Sequence, residues 1–110
     1  MNRKTALLFG SLLLVSTGAV VAEVDADAAQ ALLKKSDCGK CHALDKKKDG
    51  PPYKETAKKY QGKPDAEQKL YIYLTTNPKV KVEGKEEEHT SLKTKKEAEV
   101  QNVARWILSR

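Results

Sequence analysis

Methionine is almost missing from this chain: there is one, Met1. Phenylalanine is as scarce, with Phe9 alone, and the single tryptophan is Trp106. Beyond residue 22 the aromatic stock is that tryptophan and four tyrosines, so a core must be built mainly from Leu, Val, Ala and Ile. Domains below about 100 residues bury a smaller share of their surface than larger ones and are marginal by themselves, and so lean a set argues that something besides side chains fills the centre. Cysteine occurs twice, which allows at most one disulfide. No nucleophile–base pair or carboxylate dyad stands in a convincing context, so no independent enzymatic activity is expected. Strand signal is confined to Val80-Lys81-Val82, too short to count, and no segment repeats.

What is present begins with a leader. Met1-Asn2-Arg3-Lys4 is basic, Ala6 to Val21 is almost wholly apolar, and Val20-Val21-Ala22 gives way abruptly to the acidic Glu23-Val24-Asp25. This is the layout of a secretory signal peptide, residues 1–22, cleaved after Ala22. The competing reading is an uncleaved anchor, but the run is short for a span of ~20 residues and has no basic flank on its far side. The expected mature protein is residues 23–110, periplasmic and not membrane-anchored. The whole chain has 21 Lys and Arg against 15 Asp and Glu. Loss of Arg3 and Lys4 still leaves a positive excess, modest and spread along the chain. That distribution does not suggest a nucleic-acid binder; it suits electrostatic docking to a partner with an acidic surface.

The mature segment reads as one all-α domain. Asp27 and Gln30 have capping-box spacing ahead of Ala28, Ala29, Leu32 and Leu33. Ser36 to Tyr53 is rich in Lys, Gly and Pro and reads as a loop. A short helix, Tyr53 to Tyr60, ends at Gly62. Asp65 to Thr76 is a longer one, with Asp65 and Gln68 as its box, Ala66, Leu70, Tyr73 and Leu74 on one face, and Asn77-Pro78 as its stop. Lys79 to Lys93 is expected to be a polar loop. Thr94 and Glu97 open the last helix, in which Val100, Val103, Ala104, Ile107 and Leu108 repeat at helical intervals.

The chemistry lies in Cys38-Gly39-Lys40-Cys41-His42, the attachment motif of c-type haem. Two thiols three residues apart can add across the two vinyl groups of the porphyrin, and the imidazole that follows can swing beneath the iron. Other readings of these residues exist. A disulfide between Cys38 and Cys41 would close a tiny loop with little entropic gain. A thioredoxin-like site needs a βαβ context that is missing. A zinc site would have to recruit Cys38, Cys41, His42 and the distant His89, which lacks the usual paired short spacings.

With this motif behind a short helix, with Gly50-Pro51 after it, and with a terminal helix ending in Val103-Ala104-Arg105-Trp106-Ile107-Leu108-Ser109, the mature chain resembles the class I cytochrome c family. The resemblance implies a small fold of three to five helices around one covalent haem c, with the first and last helices crossing and Trp106 packed at or beside that crossing. It implies that His42 is an axial ligand of the iron and that the Pro51 carbonyl orients it. The sequence departs from the family at the other axial position. The usual ligand is a Met in the loop before the last helix, and here Met1 leaves with the leader. His89 occupies that loop and is the sole His besides His42, so bis-histidine ligation by His42 and His89 is expected, with a loop Lys as a minor competitor. The resulting expectation is a monohaem carrier of single electrons between redox partner proteins. The alternative is a haem protein that binds a small gas when a weak His89 leaves, since loops open at lower free energy than packed helices.

Overall fold

The computed structural model describes residues 10–14 and 23–110. The signal-peptide expectation falls mostly outside the described residues. Among those described, no helix is long and apolar enough to cross a membrane. The described residues form four α-helices and one small antiparallel sheet in the order α1 (Ala26–Lys35), a 3₁₀ turn (Cys38–Lys40), α2 (Tyr53–Tyr60), α3 (Ala66–Thr75), β1 (Lys79–Val82), β2 (Lys85–Glu88) and α4 (Glu97–Leu108). The helical class expected from the sequence stands, with a two-stranded sheet added to it.

The helix α4 is the hub, and α1, α2 and α3 all pack on it. Its stripe of Val100, Val103, Ala104, Trp106 and Ile107 is buried, with Val103 and Ala104 fully so. Ala29, Leu32 and Leu33 of α1, Tyr53 of α2 and Leu70 and Leu74 of α3 complete the cluster, with Leu92 from the segment before α4. Each fully buried Val or Leu contributes about 1.5–3 kcal/mol.

Polar ties fix α1 at both ends. The Asp25 N–H donates to Asn102 Oδ1 at 2.9 Å, and Asn102 Nδ2 donates to the Asp25 carbonyl at 2.9 Å. At the other end Ser36 is fully buried, and its hydroxyl accepts the Lys93 N–H at 2.8 Å. These ties hold α1, which leads into the Cys38–His42 segment, against α4 and the stretch that precedes it.

Helix starts differ from the sequence expectation in detail. The cap of α1 is Asp25, whose carboxylate accepts the Ala28 N–H at 3.0 Å; Asp27 lies inside the first turn, where its charge suits the helix dipole. Asp65 stands at the cap of α3 but makes no capping bond, because its carboxylate pairs with Lys69 at 3.1 Å. That bond to Lys69 draws the exposed Asp65 carboxyl below its ordinary pKa. Thr94 does not box with Glu97; its hydroxyl donates to Glu99 at 3.0 Å and accepts the Lys96 N–H at 3.1 Å.

The larger correction is the hairpin in the expected polar loop. Lys79 pairs with Glu88 and Lys81 with Glu86 across the strands, and opposite charges facing one another stabilise such pairs. Glu83 and Gly84 form the tip with φ of 51° and 78°, and two positive-φ residues make the two-residue turn whose twist matches a hairpin. All of β2 is exposed, so it lacks the apolar alternation by which strands are read.

Candidate functional site

Residues 38–53 wind into a compact loop over one side of the helical cluster. The 3₁₀ turn is closed by the Cys41 N–H on the Cys38 carbonyl at 3.2 Å and by the His42 N–H on the same carbonyl at 3.0 Å. Cys38 and Cys41 are free, half-buried thiols. Burial pushes the Cys38 thiol above its ordinary pKa, with the neighbouring Asp37 acting in the same direction. The chain then returns over the motif: the Gly50 N–H donates to the Cys41 carbonyl at 2.8 Å, the Tyr53 N–H to the Ala43 carbonyl at 2.9 Å, and the Lys48 ammonium to the Gly39 carbonyl.

This return sets the His42 ring. Its Nδ1 lies 2.7 Å from the Pro51 carbonyl. A carbonyl only accepts, so the proton sits on Nδ1 and the lone pair of Nε2 is left free to ligate. The ring stacks on Tyr53, with centroids 5.5 Å apart and planes 25° apart, and Tyr53 meets Trp106 edge-on at 5.6 Å. Burial raises the Tyr53 phenol well above its ordinary pKa, so it stays neutral. Gly50 is required by proximity: a Cβ there would stand 2.7 Å from His42 Nδ1 and 2.9 Å from Nε2.

His89 follows β2 directly. Its N–H donates to the Pro78 carbonyl at 2.7 Å, and its own carbonyl accepts from Asn77 Nδ2 at 2.9 Å. Its ring meets Tyr73 edge-on at 4.9 Å. Burial, and then the proximity of His42, holds the imidazole below its ordinary pKa and so favours the neutral form. His89 Nδ1 is buried without a hydrogen-bond partner. The centroids of the His42 and His89 rings are 6.0 Å apart, with planes at 51°.

The structure thus brings His42, Pro51 and His89 to one place, with Cys38 and Cys41 on the turn that leads into His42. The four-ligand zinc alternative is not assembled: among the described residues no group of three or more His, Cys, Asp or Glu side chains converges on a metal position. Trp106 is buried beside Tyr53, in keeping with its packing role. Tyr73 is not in the apolar face of α3; it is 40 % exposed and lies against His89. Tyr53 and Asn77 are site residues that sequence reasoning did not single out. Asn77-Pro78 carried a visible signal, but one that reads as a helix stop.

The cytochrome c family model matches residues 26–110. The chain belongs to the cytochrome c family. Cytochrome c-551 of Pseudomonas aeruginosa is 38% identical over 63 residues, a match covering 56% of this chain and 61% of that relative's length. Among solved structures, the class 1 cytochrome MtoD from Sideroxydans lithotrophicus ES-1 is similar with a TM-score of 0.76 and 47% identity, over 79% of this chain and 97% of that one. Wild-type cytochrome c552 of Nitrosomonas europaea is similar with a TM-score of 0.58 and 27% identity, over 73% of this chain and 96% of that one.

The cofactor of this cytochrome is one covalent haem c. The side chains fit that group. Cys38, Cys41 and His42 form the C-x-x-C-H motif, the thiols are free, and the buried Nδ1 of His89 lacks a partner within the protein. Two imidazoles bound to opposite sides of one metal ion, each by a bond of about 2 Å, have ring centres roughly 6 Å apart, and the separation between His42 and His89 is 6.0 Å.

Proposed function

We propose that this cytochrome is a periplasmic single-electron carrier whose haem is tethered through Cys38 and Cys41 and whose iron lies between His42 and His89. The observation that carries the ligation is the pair of imidazoles whose ring centres lie 6.0 Å apart, one fixed in tautomer by Pro51 and the other fastened at the foot of the hairpin. Haem supplies a reversible one-electron change at its iron. The chain supplies the conditions for a small structural change with oxidation state. His42 is held on three sides, by Pro51, Tyr53 and the Gly50 backbone, and His89 by Asn77, Pro78 and Tyr73. With both histidines bound to it, the iron would have no position left for a substrate. Two imidazoles also favour ferric iron more than an imidazole–thioether pair does, so the potential is expected to lie below that of a His/Met relative.

Secretion is proposed from the leader, residues 1–22, with the mature terminus at Glu23. The partner is proposed to be a redox protein with an acidic docking surface, since residues 38–63, which contain the attachment motif, carry eight lysines against three acids. The deciding experiment is an optical and mass measurement on protein matured with haem. Covalent attachment is expected to survive acid–organic extraction. The reduced protein is expected to be low spin and slow to bind carbon monoxide. Rapid carbon monoxide binding with a high-spin spectrum in both oxidation states would overturn His89 ligation and leave a gas-binding haem protein.

A further inference from the structure

We propose that Asn77 is a positioning residue for the His89 ligand, acting as one half of a clip that closes the base of the hairpin. The inference rests on His89 ligation as proposed above.

The clip consists of two hydrogen bonds to the backbone of one residue. The His89 N–H donates to the Pro78 carbonyl at 2.7 Å, and the His89 carbonyl accepts from the Asn77 side-chain amide at 2.9 Å. Both polar groups of the His89 backbone are therefore bound to two residues, Asn77 and Pro78, that follow α3. Three residues further on, the N–H of the buried Leu92 donates to the Leu74 carbonyl at 3.0 Å, so the chain beyond His89 is fastened to the same helix end. Only the ten residues 79–88 are left to the hairpin.

Position 77 makes two demands. Its φ is 51°, in the left-handed region that Asn, Asp and Gly tolerate best. Its side chain must also donate, because the group it meets is a carbonyl oxygen. Gly satisfies the first demand alone. Asp satisfies the first and inverts the second, since a carboxylate only accepts. Asn meets both. The hydrogen bond is exposed to solvent, so its loss leaves the fold in place and is felt as easier departure of His89 from the iron.

The test is the rate at which cyanide replaces the endogenous ligand in the ferric holoprotein, with thermal melting recorded alongside. Asn77→Gly is expected to bind cyanide roughly threefold faster than wild type, the effect of losing one ordinary hydrogen bond. Asn77→Asp is expected to be at least as fast. Glu83→Gly, which alters the hairpin tip at a positive-φ position without touching the clip, is expected to match wild type. His89→Ala separates the two readings. If it binds cyanide no faster than wild type, His89 is not the ligand and both readings fall. If it binds far faster while Asn77→Gly matches wild type, ligation stands and the clip is refuted. The clip is equally refuted if Asn77→Asp keeps the wild-type rate, because donation would then be irrelevant, or if Glu83→Gly accelerates binding as much as Asn77→Gly, because general loosening of the hairpin would then suffice.

Discussion

Gly50 and His42 show how tightly a single position can be set by its neighbour. The imidazole lies so close to the Gly50 backbone that an alanine methyl would overlap Nδ1, while Pro51 holds the same nitrogen from the next residue. Gly50→Ala must push the ring away from the Pro51 carbonyl or shift the loop. The expected cost is about 1–3 kcal/mol, read from guanidinium unfolding of the holoprotein, together with a changed ferric spectrum because the ligand itself moves. On the other side of the proposed iron position, His89→Met is the informative exchange. If the thioether ligates, the potential should rise, since thioether favours ferrous iron relative to imidazole; a fall in potential with a low-spin spectrum would contradict that reasoning. Much at this scale was readable in the sequence, and for a local reason. Cys38, Cys41, His42 and Pro51 lie within one short stretch, and spacing along the chain sets their relations. Asn77, Tyr73 and Tyr53 were not readable as site residues. Asn77 meets His89 from twelve positions away, and Tyr73 and Tyr53 meet the two histidines through a hairpin and a returning loop that spacing does not reveal.

Among the elements, the helices were legible and their first turns less so. Apolar repeats at three and four residues mark α1, α3 and α4 without ambiguity, but a capping box is a short pattern that several neighbouring acids can satisfy. At the start of α1 both Asp25 and Asp27 are available, and the tie between Asp25 and Asn102 decides the matter by holding the chain extended at residue 25. Asp25→Ala is therefore expected to cost about 1 kcal/mol, read from thermal or denaturant melts, and Asp27→Ala clearly less. Equal losses would return the cap to Asp27. The hairpin was missed because its determinants are not hydrophobic. It is specified by two positive-φ residues at its tip, by Lys–Glu pairs across the strands and by the closure at Asn77 and Pro78, none of which produces an apolar period. Val80 and Val82 are half-buried, which explains why only that short stretch of strand signal was visible. The hairpin also accounts for the position of His89: a long polar loop ends in a fixed place when its base is fastened.

At the scale of the whole molecule, charge is not evenly spread, although composition alone gives only a modest excess. Residues 38–63 hold eight lysines and three acids, whereas residues 79–89 hold three lysines and four glutamates. The first segment contains the attachment motif and α2, and the second is the hairpin that ends in His89. A charged oxidant approaching this molecule therefore meets opposite fields at the two regions, and steering of encounter by such fields is strongest at low ionic strength. Small redox reagents of opposite charge can map this without any knowledge of the natural partner. Oxidation of the reduced protein by ferricyanide, an anion, is expected to slow as salt is raised. Oxidation by a cationic cobalt complex is expected to show the weaker or opposite dependence. Reversing Lys46, Lys47 and Lys48 together to Glu changes the formal charge by six and lies in the exposed part of the basic segment. It should lower the low-salt ferricyanide rate by about tenfold and leave the high-salt rate nearly unchanged, because screening removes steering but not the electronic step. Reversing Glu86, Glu87 and Glu88 to Lys changes the charge by the same amount with opposite sign. If electrons leave through the side that carries the motif, this second change raises the ferricyanide rate only slightly. A larger effect from the hairpin reversal than from the lysine reversal would move the docking face to the His89 side and overturn the assignment of the basic segment.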